Sequence, residues 1–475
     1  MEEKSINNIC RISGRCSGCQ LNNLPYSQQL RLKQSKVNRL FYGLVKPEKI
    51  VASPEQFRYR NKAGAVFFED KNKEIRWGIY QSATGGLCAA GECFLQPEIA
   101  DEIFNSTAQL IKSFKIKLYN NKDKTGFFRS AMIRMSHSTG QLMLVLVTAE
   151  GEFPKERSFV NALLKKHKEI TCIVQSIYTG SAVVMTGEKE KILFGNGFIE
   201  DVILGKKFRI SAHSFYQINS LQTAQLYHEA VSMAEINEGS RFLDAYCGTG
   251  TIGIIAAKNG CIGYGVEINS AAVEDAKKNA EINGINNIQF ICGDAGDVIE
   301  KSDEKYDVVF IDPPRAGCSR KFLSSLVKGA PEKIVYVSCN PETQVRDIRF
   351  LLKNGYKIRK AVPFDMFPHT WHVETVVLLV RYISTKEHVT ITVKPEELEL
   401  GSLQTHGTYE EIKKYVLDNY GLKVSTLNIS QVKRKCGLDV GDAYNKPKSS
   451  DAKQPRCTEE REKAIISALK YYGMI

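Results

Sequence analysis

A cysteine and a glutamate at the ends of two predicted strands are the residues best suited to chemistry in this sequence. Cys339 follows the apolar run 334–338, and Glu374 begins the run 375–381. A thiolate is a nucleophile, and a carboxylate can accept a proton. Beside a methyl donor, the pair suits methylation of a pyrimidine at carbon 5, which becomes nucleophilic only after a thiolate has added to carbon 6. Cys339 would attack carbon 6, and Glu374 would remove the hydrogen from carbon 5.

Both residues also have simpler interpretations, and Cys339 has competitors. A lone cysteine at a strand end is more often a small buried hydrophobe, and a glutamate at a strand start is more often solvated. Cys318 follows the motif Asp-Pro-Pro-Arg and Cys247 lies in a glycine-rich loop, so either could be the nucleophile instead. His369 and His372, shortly before the glutamate, are interpreted as residues that hold their loop.

A glycine-rich loop and three acidic residues indicate a nucleotide-containing methyl donor. The loop, 244–253, follows a predicted strand and opens a helix, and Glu267 closes the next strand, where a carboxylate can bind both ribose hydroxyls. Nicotinamide-dependent enzymes have a similar loop, and the glycine spacing alone allows either ligand. Asp294 and Asp312, after the third and fourth strands, favour S-adenosylmethionine, with Asp294 at the adenine.

The elements that must position these residues lie between residues 240 and 381, where apolar strand-like runs alternate with amphipathic helical stretches. This is the pattern of a parallel sheet with crossover helices, and it predicts an α/β, doubly wound, Rossmann-like domain. The last two runs are joined by 363–373, which is too short for a crossover helix, so we expect an antiparallel pair. The predicted strands are 241–244, 262–267, 288–292, 308–312, 334–338, 357–362 and 375–381.

The rest of the chain divides into three further regions. Short strand-like pieces such as 64–68 and 142–148, separated by turns, predict an antiparallel β-rich domain, and a helix is expected over 20–42. Near the C-terminus a helix, a turn at Gly421 and a second helix capped by Ser425 are expected, a helix-turn-helix-like pattern. The predicted domains are 1–54, a cysteine segment and helix; 55–205, β-rich; 206–385, doubly wound; and 386–475, a small helical extension.

Composition bounds the class of protein. The 475 residues suffice for about three domains, and 43% hydrophobic with 25% charged residues is typical of a globular protein. The sequence has no apolar run of membrane-spanning length and no signal-peptide pattern, so we expect a cytoplasmic protein. The whole net charge of +12 lies in residues 1–210, with 32 Lys and Arg against 20 Asp and Glu. This asymmetry suggests a polyanion-binding module, although an ordinary solvated surface is the alternative.

Thirteen cysteines, an odd number, make a poor disulfide framework and are typical of cytosolic thiols with a metal site. Cys10, Cys16 and Cys19 are closely spaced. With one later cysteine they would supply the four thiolates of an iron-sulfur centre, and zinc would accept the same set. Unligated thiols are the third possibility.

Four ordered motifs resemble those of the RNA uracil-5 methyltransferase family, in particular its ribosomal RNA branch. They are Asp-Ala-Tyr-Cys-Gly-Thr-Gly-Thr-Ile-Gly, Asp-Pro-Pro-Arg-Ala-Gly, Ser-Cys-Asn-Pro and Phe-Pro-x-Thr-x-His-Val-Glu, and the resemblance covers about residues 10–381. It implies methyl transfer from S-adenosylmethionine to carbon 5 of a specific uridine in RNA, in the first place 23S ribosomal RNA. Cys339 would be the nucleophile and Glu374 the base, and the β-rich domain would bind RNA.

The resemblance also implies ligands for two cofactors. Those of S-adenosylmethionine would be Gln217, Tyr246, Glu267 and Asp312. A [4Fe-4S] cluster would be held by Cys10, Cys16, Cys19 and a fourth cysteine that precedes a helix, which Cys93 matches better than Cys88. We expect two departures from the family. Only nine residues precede Cys10, so the small β-barrel RNA-binding domain of many members is expected to be absent, and the C-terminal extension is expected to be additional.

Three other functions compete with this one. Methyltransferases that act on amino groups of bases normally have an aromatic residue where Arg315 stands, and they need no cysteine. Transfer RNA is the alternative substrate of the same chemistry. A non-catalytic iron-sulfur RNA-binding protein would not need the intact pair of Cys339 and Glu374. No membrane and no obligatory protein partner is expected.

Overall fold

The computed structural model describes residues 10–16, 18–80, 86–180, 182, 184–302, 304–382, 408–438, 457–472 and 474. Contacts between Cα atoms divide the chain into two units, Met1–Ser384 and Thr385–Ile475. Within the ranges described, none of the helices has the length and apolar character that crossing a lipid bilayer requires.

The region before residue 212 contains a sheet covered by two helices, over residues 98–113 and 156–166, that the sequence analysis did not predict. Its elements are α1 (Tyr26–Leu40), β1 (Lys62–Glu69), β2 (Ile75–Tyr80), β3 (Leu87–Ala89), α2 (Glu98–Ser113), β4 (Phe128–Met135), β5 (Leu142–Thr148), α3 (Glu156–Lys166), β6 (Ile170–Ile177), β7 (Lys189–Phe194), β8 (Phe198–Ile203) and β9 (Lys206–Ser211). Strands β1 to β7 make one sheet in the order β3-β2-β1-β4-β5-β6-β7, and β8 pairs with β9. Side chains of α2 and α3, among them Phe104 and Phe159, share a buried core with Phe128 of β4.

The expectation of an antiparallel β-rich domain here is wrong for one pair of strands. Strand β6 runs parallel to β5, with α3 as the crossover between them. All seven residues of β5 are buried, as expected for a central strand with both faces covered, and such a strand lacks the alternating pattern of an antiparallel sheet with one solvated face.

The second sheet has the predicted doubly wound topology. Its elements are α4 (Ser220–Ala234), β10 (Arg241–Ala245), α5 (Thr251–Ala256), β11 (Ile262–Glu267), α6 (Ser270–Ile282), β12 (Ile288–Cys292), α7 (Ala295–Lys301), β13 (Val308–Ile311), α8 (Arg320–Gly329), β14 (Lys333–Ser338), α9 (Pro341–Lys353), β15 (Tyr356–Phe364) and β16 (Glu374–Arg381). The strand order is β12-β11-β10-β13-β14-β16-β15. Strands β10 to β14 are parallel, and β16 is antiparallel to both neighbours, which confirms the expected closing pair.

Helix α1 belongs to the core of this second sheet, although about 200 residues separate them in the sequence. Val37 and Phe41 are fully buried among side chains of the second sheet and its helices. The segment after the helix continues the contact, since Val51 forms a parallel bridge with Phe364 of β15. The helix begins at Tyr26, later than the predicted residue 20, because turns precede Pro25.

The second unit contains α10 (Tyr409–Tyr420), α11 (Thr426–Lys435) and α12 (Glu459–Tyr471), which surround a small apolar core. Gly421 ends α10 with a φ of 68°, and the Ser425 hydroxyl caps α11 as predicted. Of the basic run that ends α11, Lys433 is buried over the ring of Tyr409 and Lys435 pairs with Glu462. Two of the three basic side chains in this run therefore make contacts within the unit.

Candidate active site

A cavity of about 730 Å³ lies at the carboxyl ends of the parallel strands, where the strand order reverses between β10 and β13. Open α/β sheets bind their ligands at this point. Six of the seven predicted catalytic and cofactor-binding residues line the cavity: Gln217, Tyr246, Glu267, Asp312, Cys339 and Glu374.

The pairing of β14 with β16 brings Cys339 and Glu374 together. The last paired residues are Ser338 and Thr375, so the next residue outward is Cys339 beyond β14 and Glu374 on β16. On its other side Glu374 is paired with Phe364 of β15. Because side chains alternate between the faces of a sheet, this register determines where Glu374 points.

The Cys339 thiol is partly buried among negative groups. Burial, followed by the charges of Glu374 and Asp312, raises its pKa to about 11, while Arg315 acts in the opposite direction. The thiol form is therefore favoured at neutral pH, and positive charge in the cavity would favour the thiolate.

The carboxyl groups of the cavity are crowded and buried. Burial raises the pKa of Asp244 and that of Asp312 to about 7 each. Burial and the charge of Asp312 raise the pKa of Glu374 well above its usual range. In the described structure Oδ1 of Asp244 is buried without a hydrogen-bond partner. A cationic ligand would favour the ionised carboxylates, so the cavity is suited to one.

Arg315 supplies positive charge to both candidate catalytic residues. It lines the cavity, and its Nη2 lies 2.9 Å from Nδ1 of His372. Its charge lowers the pKa of Cys339 and of Glu374, against the larger effect of burial. Burial and Arg315 lower the pKa of His372, so the ring is neutral at pH 7 and accepts the hydrogen bond.

The glycine-rich loop has the backbone conformation that close approach to a ligand requires. Gly248 and Gly250 have φ angles of 53° and 80°, in the left-handed region that favours glycine, and Tyr246 has a φ of 120°. Glu267 accepts hydrogen bonds from the backbone N–H of Gly248 at 3.2 Å and of Asn269 at 2.9 Å. The predicted ribose-binding carboxylate is thus fixed against the loop.

Asp294 is the predicted site residue that the structure does not bring into the cavity. Its side chain caps α7 by accepting from the N–H of Asp297 at 3.1 Å, and it lines a neighbouring recess of about 460 Å³. A helix N-cap also explains an aspartate at this position, and the sequence does not separate the two roles.

The two rival cysteines occupy different places. Cys318 is buried 3.6 Å from the Tyr336 hydroxyl, burial raises its pKa to about 12, and it is not among the residues that line the cavity. Cys247 lines the cavity but is only 7% exposed, and burial raises its pKa far above the usual range.

Arg60 is a cavity residue that sequence reasoning missed. It comes from the segment before β1, and its Nε is buried without a hydrogen-bond partner in the described structure. No motif marks this residue, because only the packing of residues 48–61 against the second sheet brings it to the cavity. Phe215, which is 70% exposed, and Phe367 also line the cavity.

The loop before Glu374 is held by α1. Lys33 and Asp365 form a fully buried ion pair with Nζ and Oδ1 2.5 Å apart, and Lys33 also donates to the Phe367 carbonyl at 3.0 Å. Gln29 lies 3.0 Å from Nδ1 of His369, whose φ is 68° and whose pKa burial lowers to about 4. The expectation that His369 holds the loop agrees with these contacts.

Three of the four predicted cluster cysteines lie in one small apolar cluster beside this loop. Cys10, Cys19 and Cys93 pack against Tyr59 and Leu95. Burial, with smaller contributions from the neighbouring thiols of Cys93, Cys16 and Cys10, raises the pKa of Cys19 to about 12. Cys16 is also within electrostatic range of Cys88. In the described part of the chain, however, no three His, Cys, Asp or Glu side chains have the arrangement of metal ligands.

Comparison with known families and curated proteins gives consistent matches. The family model described as tRNA (Uracil-5-)-methyltransferase matches residues 25–382. A protein of Clostridium tetani named uncharacterized RNA methyltransferase is 37% identical over 385 residues, which are 80% of this chain and 84% of the relative. A protein of the same description from Clostridium acetobutylicum is 38% identical over 383 residues, or 78% and 83% of the two chains.

A solved structure matches the fold as well. The tRNA (uracil-54, C5)-methyltransferase of Pyrococcus abyssi, crystallised with S-adenosyl-L-homocysteine, is 32% identical with a TM-score of 0.66. The match covers 78% of this chain and 87% of the Pyrococcus abyssi chain. That structure contains the demethylated product of S-adenosylmethionine, the cofactor indicated by the acidic cavity described above.

Proposed function

Because this chain belongs to the tRNA (uracil-5-)-methyltransferase family and is an S-adenosylmethionine-dependent RNA methyltransferase, we propose that it methylates carbon 5 of a specific uridine through a covalent adduct with Cys339. The observation that carries the proposal is the placement of Cys339 opposite Glu374 at the cavity, with Asp312 and Arg315 beside them. A nucleophile and a proton acceptor on adjacent strands are what this reaction requires.

In the proposed reaction the Cys339 thiolate adds to carbon 6 of uracil, and the electron pair of the 5,6 double bond moves into an enolate. Carbon 5 of the enolate then accepts the methyl group, for which S-adenosylmethionine, when bound, supplies an electrophilic methyl. Glu374 takes the proton from carbon 5. The electron pair of the broken C–H bond restores the 5,6 double bond, and Cys339 leaves carbon 6 as the thiolate. Arg315 favours the ionised forms of both residues throughout.

The cavity residues fit a cationic sulfonium cofactor. The buried carboxyls of Asp244 and Asp312 have raised pKa values, and one oxygen of Asp244 lacks a partner in the described structure. We propose that the ligands are those implied by the resemblance, Gln217, Tyr246, Glu267 and Asp312. Asp294 would reach the adenine only from the neighbouring recess.

For the RNA we propose 23S ribosomal RNA, with the basic residues 55–205 as the RNA-binding domain and residues 386–475 as an auxiliary contact. The observation that favours ribosomal RNA is the gathering of thiols, which resembles that branch of the family. Transfer RNA is the second candidate, because the Pyrococcus abyssi enzyme is named for uracil 54 of transfer RNA. We propose that the protein is cytoplasmic, in the same compartment as both RNAs.

We further propose that Cys10, Cys16, Cys19 and Cys93 hold a [4Fe-4S] cluster. The support is that Cys10, Cys19 and Cys93 share one small apolar cluster, with Cys16 close enough to affect the Cys19 thiol. When bound, the cluster would supply a covalent link between the N-terminal segment and the segment before α2. The thiols would have to close further, because they do not have a metal-ligand arrangement in the described structure.

One experiment tests both the reaction and the RNA. The 5-methyluridine content of 23S ribosomal RNA and of transfer RNA would be mapped in cells with and without this gene, and in cells that carry Cys339→Ala. Loss of one 5-methyluridine in both altered strains supports the proposal and identifies the RNA. Unchanged 5-methyluridine in both RNAs of the deletion strain would contradict it.

A further inference from the structure

A second cavity, of about 740 Å³, lies in the first sheet, between the end of β1 and the turn that follows α2. The residues that line it include five with basic side chains: Lys73, Lys112, Lys115, Lys117 and Arg129. Among the lining residues Glu69 is the acidic one, and Lys112 pairs with Glu74. We call this cavity the basic cleft. Its excess of positive charge points to an anionic ligand.

Arg129 makes the basic cleft more than a set of surface lysines. Its guanidinium lies 3.5 Å from the ring centre of Tyr119 and 5.1 Å from that of Tyr178. Its Nη2 donates to the Gly180 carbonyl at 2.7 Å, which fixes the group further. Within the described structure its Nε is buried without a hydrogen-bond partner. A buried donor without a partner costs free energy that an anion in the cleft would recover.

Strand β1 connects the basic cleft to the catalytic cavity. Arg60, just before β1, lines the catalytic cavity, whereas Val66 to Glu69 line the basic cleft. Val66 is six positions after Arg60, which is at most about 20 Å at ~3.3 Å per residue. A nucleic-acid strand with one phosphate every ~3.4 Å, the spacing along one strand of duplex DNA, would take about six nucleotides to cover this distance.

We propose that the basic cleft binds the phosphodiester backbone of the substrate RNA several nucleotides away from the target uridine. This inference rests on the proposed function, since it takes the ligand of the catalytic cavity to be RNA. A backbone is the anion that fits, because its charges repeat along the strand and can meet Lys115, Lys117 and Arg129 together. The cleft would thereby select RNA that is long enough to occupy both cavities.

Protection of lysines from acetylation tests the site directly. The full-length protein would be treated with an acetylating reagent with and without 23S ribosomal RNA transcribed in vitro, and each lysine would be read by mass spectrometry. Lys115 and Lys117 are exposed, so they should react freely alone and be protected several-fold by RNA. Lys353, exposed at the end of α9, is the matched control and should react equally in both samples.

A charge-removing variant gives the second measurement. Lys115→Gln with Lys117→Gln should weaken RNA binding roughly tenfold and reduce the salt slope of log K by about 1.4, as expected for two contacts to single-stranded phosphates. Lys353→Gln should change neither quantity. Methylation of the same RNA is measured in parallel, so that failure of the site and failure of the reaction are distinguished.

The outcomes divide clearly. If wild-type protein methylates the RNA while Lys115 and Lys117 stay unprotected, the basic cleft is not an RNA site and the proposed function stands. If millimolar uridine monophosphate or inorganic phosphate protects both lysines as fully as RNA does, the cleft is a small-anion site and the inference is wrong. If neither methylation nor binding of the RNA occurs, both proposals fail.

Discussion

Cys339 and Glu374 face each other across two antiparallel strands, one step beyond the paired residues Ser338 and Thr375. The sheet, rather than a flexible loop, therefore sets their separation. A nucleophile and a base fixed in this way can act on neighbouring atoms of one planar ring without rearrangement of the backbone. The predictions below separate the roles of the two residues.

The Cys339 thiol should be trapped on RNA that contains 5-fluorouracil. After methyl transfer, carbon 5 carries fluorine and no removable hydrogen, so the adduct cannot break down. Wild-type protein with S-adenosylmethionine should give a protein-RNA band that survives denaturing electrophoresis. Cys339→Ala should give none, and Cys318→Ala, the matched control, should behave as wild type. A band from Cys339→Ala but not from Cys318→Ala would assign the nucleophile to Cys318.

The Glu374→Gln variant should still form the covalent adduct with RNA but should no longer release the methylated RNA. The amide cannot take the proton from carbon 5, so methylated adduct should accumulate on ordinary uridine RNA and turnover should fall about 10²- to 10⁴-fold, the usual contribution of a general base. Single-turnover kinetics with electrophoresis would measure both. Turnover within twofold of wild type would remove Glu374 from the mechanism.

The value of kcat/KM should increase with pH through the neutral range. In the proposed mechanism Cys339 and Glu374 react in their deprotonated forms, and burial raises the pKa of both, so activity should fall as pH decreases. Arg315→Gln removes the charge that lowers both pKa values and should move the rising limb to higher pH by about one unit, whereas Arg315→Lys should move it less. An unshifted profile for Arg315→Gln would show that Arg315 does not set these pKa values.

Anaerobically purified protein should be brown and contain about four irons per chain, with Cys10, Cys16, Cys19 and Cys93 as ligands. Cys93→Ser should lose the iron, and Cys88→Ser should keep it, as iron, sulfide and zinc analyses can establish. The reverse pattern would identify Cys88, and not Cys93, as the fourth ligand. Stoichiometric zinc without iron would rule out the cluster.

Removal of residues 386–475 should leave methyl transfer measurable. The cut lies in the second structural unit, just past its border with the first, and every proposed catalytic residue belongs to the first unit. Methyl transfer by the truncated chain would be measured on the mapped RNA, with its melting temperature as the control for folding. A well-folded but wholly inactive truncation would place an essential element in the C-terminal unit.

Much of the second sheet and of its cavity could be predicted because the motifs that indicate them are local in the sequence. The carboxyl ends of parallel strands share one edge of a sheet, so a motif at the end of each strand was enough to predict that Glu267, Asp312 and Cys339 line one cavity. Asp294 was predicted as a cavity residue but lies outside the cavity. The sequence does not distinguish an aspartate that caps a helix from one that binds a ligand.

What could not be predicted depends on contacts between distant segments. Arg60 reaches the cavity, and Val37 and Phe41 enter the core of the second sheet, only through packing across the chain. The parallel pairing of β5 with β6 departs from the antiparallel domain predicted here, because periodicity reports burial and not strand direction. Each of these depends on partners that no local pattern identifies.

The contact between Gln29 and His369 has a consequence for synthesis of the protein. The two residues are 340 positions apart, and the backbone N–H of Leu21 also donates to the His369 carbonyl. At ~5–20 residues per second, a ribosome takes roughly 20 to 70 s to make the intervening chain. The N-terminal thiols therefore leave the ribosome long before the loop they pack beside exists. During that interval the thiols are not covered by the loop, so a metal donor or an oxidant can reach them before the fold closes.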